Sequence, residues 1–155
     1  MKNIEYIQDW TSWSKEFHFH TTTRVRFSEV DPFNHLNNTV PFIYFEDVRI
    51  QLFKELGFMQ QWGRPDSGTI PVVADLQCNY LKQVFFDEEL KLFAKIAHIG
   101  TTSIDLHYKA ENENGEPVFV GRGRIVHIDK AQGAPVKWTE EMIDQMERLR
   151  NSVNI

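Results

Sequence analysis

The chain has 155 residues and a formal charge of −5, with charged and apolar fractions typical of a water-soluble protein. This length suits one domain, which buries roughly two-thirds of its unfolded surface. The acidic balance argues against a nucleic-acid partner, because neutralising phosphates requires a clustered excess of Lys and Arg. The apolar runs are too short to cross a membrane.

The N-terminal segment does not read as a signal for export, since Glu5 and Asp9 interrupt the apolar core that such a signal needs. We therefore expect a cytoplasmic protein. Residues 1–16 form an N-terminal extension, in which the spacing of Ile4, Ile7 and Trp10 predicts a short surface helix. Cys78 has no second cysteine to pair with, and we expect a packed core thiol.

A strand followed by a long helix is predicted next. Apolar and polar residues alternate from Phe17 to Phe27, which is typical of a half-buried strand. After an acidic turn, apolar residues recur at helical spacing: Phe42, Phe45, Val48, Leu52 and Leu56. Asn38 or Thr39 suits the N-cap, Pro41 is tolerated in the first turn, and Gly57 ends the helix.

The second half of the chain reads as four successive strands, at about 69–82, 88–99, 103–110 and 118–128. Asn114-Gly115 predicts a hairpin turn between the last two. No helical crossover separates these strands, so the sheet must be antiparallel. A short amphipathic helix with Thr139 as its cap is expected at 139–151. The prediction is a single α+β domain over residues 1–155, with about five strands around one long helix.

Five segments in this order resemble one protein family. They read EVDPFNHLNN, FIYFEDVR, NYLKQVFFDEEL, HIGTTSIDLHY and GRGRIVHID, and they span about Thr22 to Ile128. Together they resemble the 4-hydroxybenzoyl-CoA thioesterase-like group of hot-dog fold acyl-CoA thioesterases. The most specific element is an acid-x-x-x-His-x-Asn-Asn turn between strand and helix. Asn34, Pro41 and Thr101 stand where that family commonly has a glycine, a tyrosine and a basic residue.

The resemblance implies hydrolysis of an acyl-CoA or acyl carrier protein thioester without a metal or redox cofactor. It also implies homodimers, often paired into tetramers, with active sites between subunits. Two other functions remain open. One is a hot-dog enoyl hydratase or dehydratase, although its Asp-x-Asn-Pro-x-His motif is one residue longer than the spacing here. The other is a non-catalytic acyl-CoA binding module.

Asp31 is the central candidate residue. A carboxylate at this position is either a turn former, since Asp-Pro commonly initiates turns, or the nucleophile or general base of thioester hydrolysis. The helix that follows presents unpaired N–H groups and a positive dipole end to a developing oxyanion. Because Pro41 has no N–H, Val40 and Phe42 are the expected donors.

The neighbouring polar residues have both structural and catalytic interpretations. His35 orients the thioester, positions water or ties down the loop. Asn37 and Asn38 hold the loop and cap the helix, and the resemblance places them close to the thioester. Glu46 either forms an ion pair with Arg49, three residues later on the helix, or shares the acid/base role.

The CoA-binding and metal-binding candidates lie on the strands. The resemblance places Lys82, Ser103, Arg122 and Arg124 near the nucleotide end of CoA, although a solvated strand face explains the three basic residues equally well. His18 and His20 share a strand face, but no third ligand recurs at a matching spacing, so no metal site is expected.

Overall fold

The computed structural model describes residues 3–152. The helices are α1 (Trp10–Lys15), α2 (Val40–Glu55), α3 (Phe58–Trp62) and α4 (Glu140–Arg150), with a 3-10 turn at Phe27–Glu29. The strands are β1 (Phe19–Arg24), β2 (Thr69–Tyr80), β3 (Glu89–Ile99), β4 (Ser103–Glu111) and β5 (Pro117–Asp129). They form an antiparallel sheet in the order β1-β3-β4-β5-β2. This is the expected α+β hot-dog arrangement of one long helix wrapped by a five-stranded sheet.

The helix α2 packs closely against the inner face of the sheet. Val48 and Leu52 are fully buried, and the Phe45 ring stacks on Tyr108 of β4 with 4.4 Å between centroids. Gly121 of β5 lies beneath Phe45. A methyl group at this position would lie 2.5 Å from the carbonyl oxygen of Gln77 and 2.6 Å from Cζ of Phe45. The glycine is therefore what lets the helix approach the sheet.

The first strand is shorter than its alternation predicts. It begins at Phe19, because Phe17 packs instead with Trp13 in a second apolar cluster. It ends at Arg24, although Val25 still pairs with the chain before β3, accepting from Asp87 and donating to Glu88. Phe27 lies in the 3-10 turn with 77% of its surface exposed, so the predicted strand extended too far at both ends.

The N-terminal extension covers the outer face of the sheet. Its helix starts at Trp10 and not earlier, because Asp9 caps it by accepting the Ser12 N–H at 2.9 Å. The prediction of a helix through Ile4 and Ile7 is therefore wrong; Ile4 is buried in a turn segment against Val120.

Buried polar groups anchor this extension to the sheet. Trp13 Nε1 donates to His107 Nδ1 at 2.8 Å, and Lys95 Nζ donates to the Trp13 carbonyl at 2.9 Å. Lys95 also pairs with Glu16 at 2.7 Å. Because an unpaired buried lysine is costly, these contacts explain how a charged strand face is covered by a tryptophan-rich segment.

The remaining predicted elements agree with the structure within two residues. Gly57 and Gly115 adopt positive φ at the end of α2 and in the β4–β5 hairpin. Thr139 Oγ1 accepts the Met142 N–H at 3.1 Å at the start of α4. The sequence analysis missed α3, because a helix of five residues is too short to show a helical period.

Replacing Gly121 with alanine tests the close approach of α2. Overpacking of this kind costs about 1–3 kcal/mol, so we expect Gly121→Ala to lower the free energy of unfolding by that amount in urea denaturation. Gly68→Ala is the matched control, because no heavy atom lies within 4 Å of its added methyl and its φ is not positive. Equal stability of the two variants would contradict the steric argument.

Candidate active site

The turn before α2 is built around the side chain of Asp31. Its Oδ1 accepts the backbone N–H groups of Phe33 at 2.9 Å and of His35 at 3.1 Å. The Asp31 N–H donates to the His35 carbonyl at 2.8 Å. Asp31 therefore has the turn-forming role that its sequence context predicts. No hydrogen bond from a residue within 3–152 reaches Oδ2, so one carboxylate oxygen remains available for chemistry.

Asn34 adopts a left-handed backbone conformation with φ of 65°. Glycine reaches this region without strain, and asparagine is among the few other residues that enter it readily. The asparagine found where the resembling family commonly has glycine is therefore compatible with the left-handed conformation of this turn.

Asn37 holds the residues at the start of the long helix. Its Oδ1 accepts the Thr39 N–H at 3.0 Å and the Thr39 hydroxyl at 2.9 Å, and its carbonyl accepts the Val40 N–H at 3.0 Å. Thr39 occupies the N-cap position but makes no side-chain cap bond. This changes one expectation: the Val40 N–H is already engaged. Of the two expected donors, Phe42 is the one whose N–H has no bond to a described residue outside α2.

Two further contacts fix the turn against the helix. The Tyr44 hydroxyl of α2 donates to Glu29 Oε1 at 2.9 Å, and the Asn37 N–H donates to the Glu29 carbonyl at 2.8 Å. The Leu36 N–H donates to the Val84 carbonyl at 2.7 Å, which ties the other side of the turn to the segment after β2. The position of Asp31 relative to the helix is thus held from both sides.

A cleft of about 390 Å³ opens at this turn. Its wall combines the turn, the start of α2, the segment after β2 and β5: Asp31, His35, Leu36, Asn38, Pro41, Tyr80, Leu81, Lys82, Gln83, Val84 and Phe119. The structure therefore brings Asp31, His35 and Asn38 together with Lys82. The Lys82 ammonium pairs with Glu116 at 2.6 Å at the exposed edge of this region.

Tyr80 is a cleft residue that the sequence analysis missed. Its hydroxyl donates to the Asn38 carbonyl, and burial raises its pKa to about 12, so it is a neutral donor at physiological pH. The available signal was its position at the end of a strand next to Lys82. The side of the strand that faces the turn depends on how β2 pairs with β5, which sequence alone does not show.

Aromatic residues lie near the turn, beside the cleft. The His35 ring packs edge-on against Phe85 with 5.4 Å between centroids, and Phe27 packs against Phe86 at 5.7 Å. Phe33 is 78% exposed and Phe85 39%. Exposed aromatic residues clustered beside a polar turn indicate a surface that another molecule covers.

Glu46 lies away from this cleft. Its side chain is 65% exposed, and its Oε2 is 3.8 Å from Nη2 of the buried Arg49. The closer partner of Arg49 is the Tyr108 hydroxyl, at 3.2 Å from Nη1. The expected Glu46–Arg49 ion pair is present, but its closest atoms are beyond hydrogen-bond distance.

Three of the four expected CoA-binding residues do not line the cleft. Arg122 lies on the outer face of the sheet, where it pairs with Asp105 and, at 3.1 Å, with Asp75. Burial acts to raise the pKa of Asp105, but hydrogen bonds from His107 and Arg122 outweigh it and hold this pKa at about 2. Arg122 is thus committed to carboxylates. Ser103 begins β4, and Arg124 is an exposed residue of β5.

Other reactive groups are not assembled into a site. Burial raises the pKa of the Cys78 thiol to about 12, which agrees with a packed core thiol. Within residues 3–152, no three His, Cys, Asp or Glu side chains are grouped closely enough to hold a metal ion, and His18 and His20 are not joined by a third ligand. No helix of that part of the chain is long and apolar enough to cross a membrane.

The fold agrees with comparisons to known proteins. The family model described as the thioesterase-like superfamily matches residues 25–146. The chain belongs to this superfamily.

The similar proteins include one from Bacillus subtilis, the uncharacterised protein YsmA, which is 44% identical over 91% of this chain and 94% of its own. A Staphylococcus aureus protein solved in complex with CoA superposes with a TM-score of 0.81 at 16% identity, over 91% of this chain and 89% of that one. The DHNA-CoA thioesterase of Staphylococcus aureus has a TM-score of 0.74 at 22% identity, over 84% and 89% of the two chains. At these identities the two structures show a shared fold.

Substitutions at Asn34 test the turn. Asn34→Gly should keep the stability of the protein, because glycine accepts positive φ, whereas Asn34→Ala should cost about 1 kcal/mol. Urea denaturation of the two variants gives the comparison. Gly68→Ala is the reference for adding a methyl group to a residue whose φ is not positive. A stability loss in Asn34→Gly matching that of Asn34→Ala would show that the asparagine side chain, and not its backbone conformation, is what the turn needs.

Proposed function

We propose that the protein is an acyl-CoA thioesterase in which Asp31 carries the reaction. The observation that carries this proposal is that the two oxygens of the Asp31 carboxylate differ in their contacts. Oδ1 is held by two backbone N–H groups, which fixes the side chain, while Oδ2 has no partner among the described residues and belongs to a cleft wall. A fixed oxygen with an open lone pair is what an attacking or proton-accepting group requires.

The chemistry needs two groups on opposite sides of the thioester carbonyl. Either Asp31 Oδ2 attacks the carbonyl carbon, forming an acyl-aspartyl anhydride that water then hydrolyses, or it takes a proton from a water molecule that attacks directly. In both routes the carbon–sulfur bond breaks and CoA leaves as its thiol after protonation. The oxyanion is stabilised by the start of α2, where the Phe42 N–H and the helix dipole provide positive potential.

The other cleft residues have supporting roles in this proposal. His35, held against Phe85, orients the thioester or a water molecule, and Asn38 and Tyr80 shape the entrance beside the helix. Asn37 acts indirectly, because its side chain holds Thr39 at the start of the helix. Lys82 is the proposed contact for a CoA phosphate, because it is the cationic residue in the cleft wall. Ser103, Arg122 and Arg124 of the same chain lie elsewhere, so a role in binding that CoA would require another subunit.

Membership of the thioesterase-like superfamily supports hydrolysis, and the CoA complex of a structural neighbour supports CoA as the carrier. A panel of acyl-CoA thioesters with a thiol-reactive dye tests the reaction class. Release of free CoA supports hydrolysis. Hydration of an enoyl-CoA without thiol release would indicate a hydratase, and binding without turnover would indicate a binding module. The raised pKa of Cys78 keeps its own reaction with the dye slow, and Cys78→Ser is the control for it.

Asp31→Asn isolates the reacting oxygen. The amide oxygen can keep both turn hydrogen bonds while the amide nitrogen replaces Oδ2, so folding and acyl-CoA binding should persist. We expect turnover to fall by roughly 10² to 10⁴-fold, the usual contribution of a general base. The measurement is thiol release beside a thermal melt of each variant.

Three further variants sharpen that experiment. Asp31→Ala should be at least as inactive and less stable, because it also loses the turn bonds. His35→Ala should lower turnover less than either, since an orienting group contributes less than a reacting one. Glu46→Gln should have little effect on turnover. If Asp31→Asn retained full activity and Glu46→Gln did not, the helical glutamate would be the reacting acid.

We also propose that the working unit is a homodimer or a pair of dimers. In support, β2 is an edge strand with Val73 and Tyr80 about half exposed, and the aromatic residues Phe27 and Phe33 near the turn are largely exposed. An unpaired edge beside an apolar surface favours association. Light scattering at micromolar concentration should give at least twice the mass of 18.3 kDa. An active monomer would contradict this.

A further inference from the structure

The cationic residue of the Asp31 cleft is already paired within the chain. Lys82 Nζ lies 2.6 Å from Oε2 of Glu116. Lys82 follows β2 after one intervening residue and its N–H donates to the Val118 carbonyl at 3.0 Å, while Glu116 directly precedes β5. The contact therefore follows from the pairing of β2 with β5, and an anion that binds at Lys82 meets Glu116 there.

Glu116 is itself held from a second direction. Its Oε1 accepts the side-chain N–H of Asn112 at 3.2 Å, and its backbone N–H donates to Asn112 Oδ1 at 3.0 Å. The hydrogen bonds from Lys82 and Asn112 lower the pKa of the Glu116 carboxyl, so this group is an anion at neutral pH. A carboxylate attached to the hairpin in this way stays beside Lys82 when the lysine changes partner.

The Lys82–Glu116 pair can be displaced, because it is exposed. The two side chains are 51% and 44% exposed. Exposed ion pairs are individually weak and are screened by salt. A phosphate monoester carries more charge than a carboxylate and offers three acceptor oxygens, so it competes for the ammonium group. A phosphate that replaces Glu116 at Lys82 then lies close to the released carboxylate, which repels it.

The charges of the cleft wall give Glu116 its influence. Among the wall residues within 3–152, Asp31 is an acid and Lys82 is the one permanent cation. Arg122 is paired with two carboxylates on the outer face of the sheet and does not add to the positive charge of the wall. Within this chain, the affinity of the cleft for a phosphate thus depends on one ammonium group, and Glu116 shares that group.

We propose that Glu116 is a specificity-determining residue of the cleft, because it competes with the phosphates of the thioester's carrier for Lys82. Glu116 lowers the affinity for a phosphate-bearing carrier such as CoA and leaves the affinity for the phosphate-free pantetheine arm unchanged. It thereby narrows the preference of the cleft for nucleotide-bearing thioesters over smaller ones. This inference rests on the proposed function, since it takes the Asp31 cleft as the place where the thioester enters.

CoA and pantetheine are the paired probes, because pantetheine is the thiol-bearing part of CoA without its phosphates. Isothermal titration calorimetry of each probe compares the native protein with Glu116→Gln. The substitution should tighten CoA binding roughly two- to fivefold, the range that an exposed ion pair provides, and should leave pantetheine binding unchanged. The gain in CoA affinity should shrink at high salt.

Glu113→Gln is the matched control. It removes the same charge from the same hairpin, but Glu113 accepts the Glu89 N–H at 3.3 Å and makes no ion pair with Lys82. Its CoA affinity should therefore equal that of the native protein. Lys82→Gln should weaken CoA binding, and adding Glu116→Gln to it should give a smaller gain than in the native background, since the two residues interact directly.

Equal CoA affinity in the native protein and in Glu116→Gln would overturn the proposal, as would the absence of CoA binding to both. Weaker CoA binding in Glu116→Gln would also overturn it, because Glu116 would then position Lys82 for the phosphate. An equal gain for CoA and pantetheine would show that the effect does not depend on phosphate.

These affinities are measured without turnover, so they separate the role of Glu116 from the proposed reaction. Thiol release from acyl-CoA together with equal affinities would support the hydrolase and contradict the role of Glu116. A gain in CoA affinity without thiol release would support that role and contradict hydrolysis.

Discussion

The packing of α2 onto the sheet through Phe45, Gly121 and Tyr108 is the contact on which the rest of the structure depends. The ring of Phe45 lies between Gly121, which has no side chain, and Tyr108, whose ring stacks on it. This contact sets the distance of the helix from the sheet. The helix N-terminus, the turn before it and the cleft beside Tyr80 all take their positions from that distance, because a packed core does not deform continuously.

In the proposed mechanism, the side chain of Asp31 both folds the turn before the helix and carries the chemistry. Two backbone N–H groups hold Oδ1 of Asp31, and Asn37 holds Thr39 at the start of the helix that provides the positive end of a dipole. In that mechanism, holding the carboxylate in this way gives Oδ2 a defined direction without a dedicated supporting residue. It also explains why the turn-forming and catalytic interpretations of Asp31 are compatible, since they concern different oxygens.

Buried and partly buried charged residues are paired differently on the two sides of the sheet. On the outer face, Lys95 and Arg122 are paired with carboxylates, and the N-terminal extension covers this surface. On the helix side, Arg49 is buried without an equally buried anion. Charges on the outer face are satisfied within the chain, whereas the hydrogen-bond partner of Arg49 is a tyrosine hydroxyl and its nearest carboxylate, Glu46, is exposed.

The amino-acid sequence by itself determined the order of the strands and of the helices α2 and α4 along the chain, the antiparallel sheet and the turn that contains Asp31. These features are local: period, caps and turn residues act over a few neighbouring positions, so a single chain reveals them. The left-handed conformation of Asn34 was not predicted from the sequence, although asparagine is among the residue types that adopt it readily.

Tertiary structure decided which of the candidate residues meet. Tyr80 reached the cleft and Arg122 did not, because the pairing of β2 with β5 and the side on which each strand residue points depend on contacts between distant segments. The Val40 N–H donates to the Asn37 carbonyl, and Arg49 borders an apolar cavity between α2, α3 and β2. Spacing along a chain cannot specify these outcomes, since they arise from packing between surfaces that are far apart in sequence.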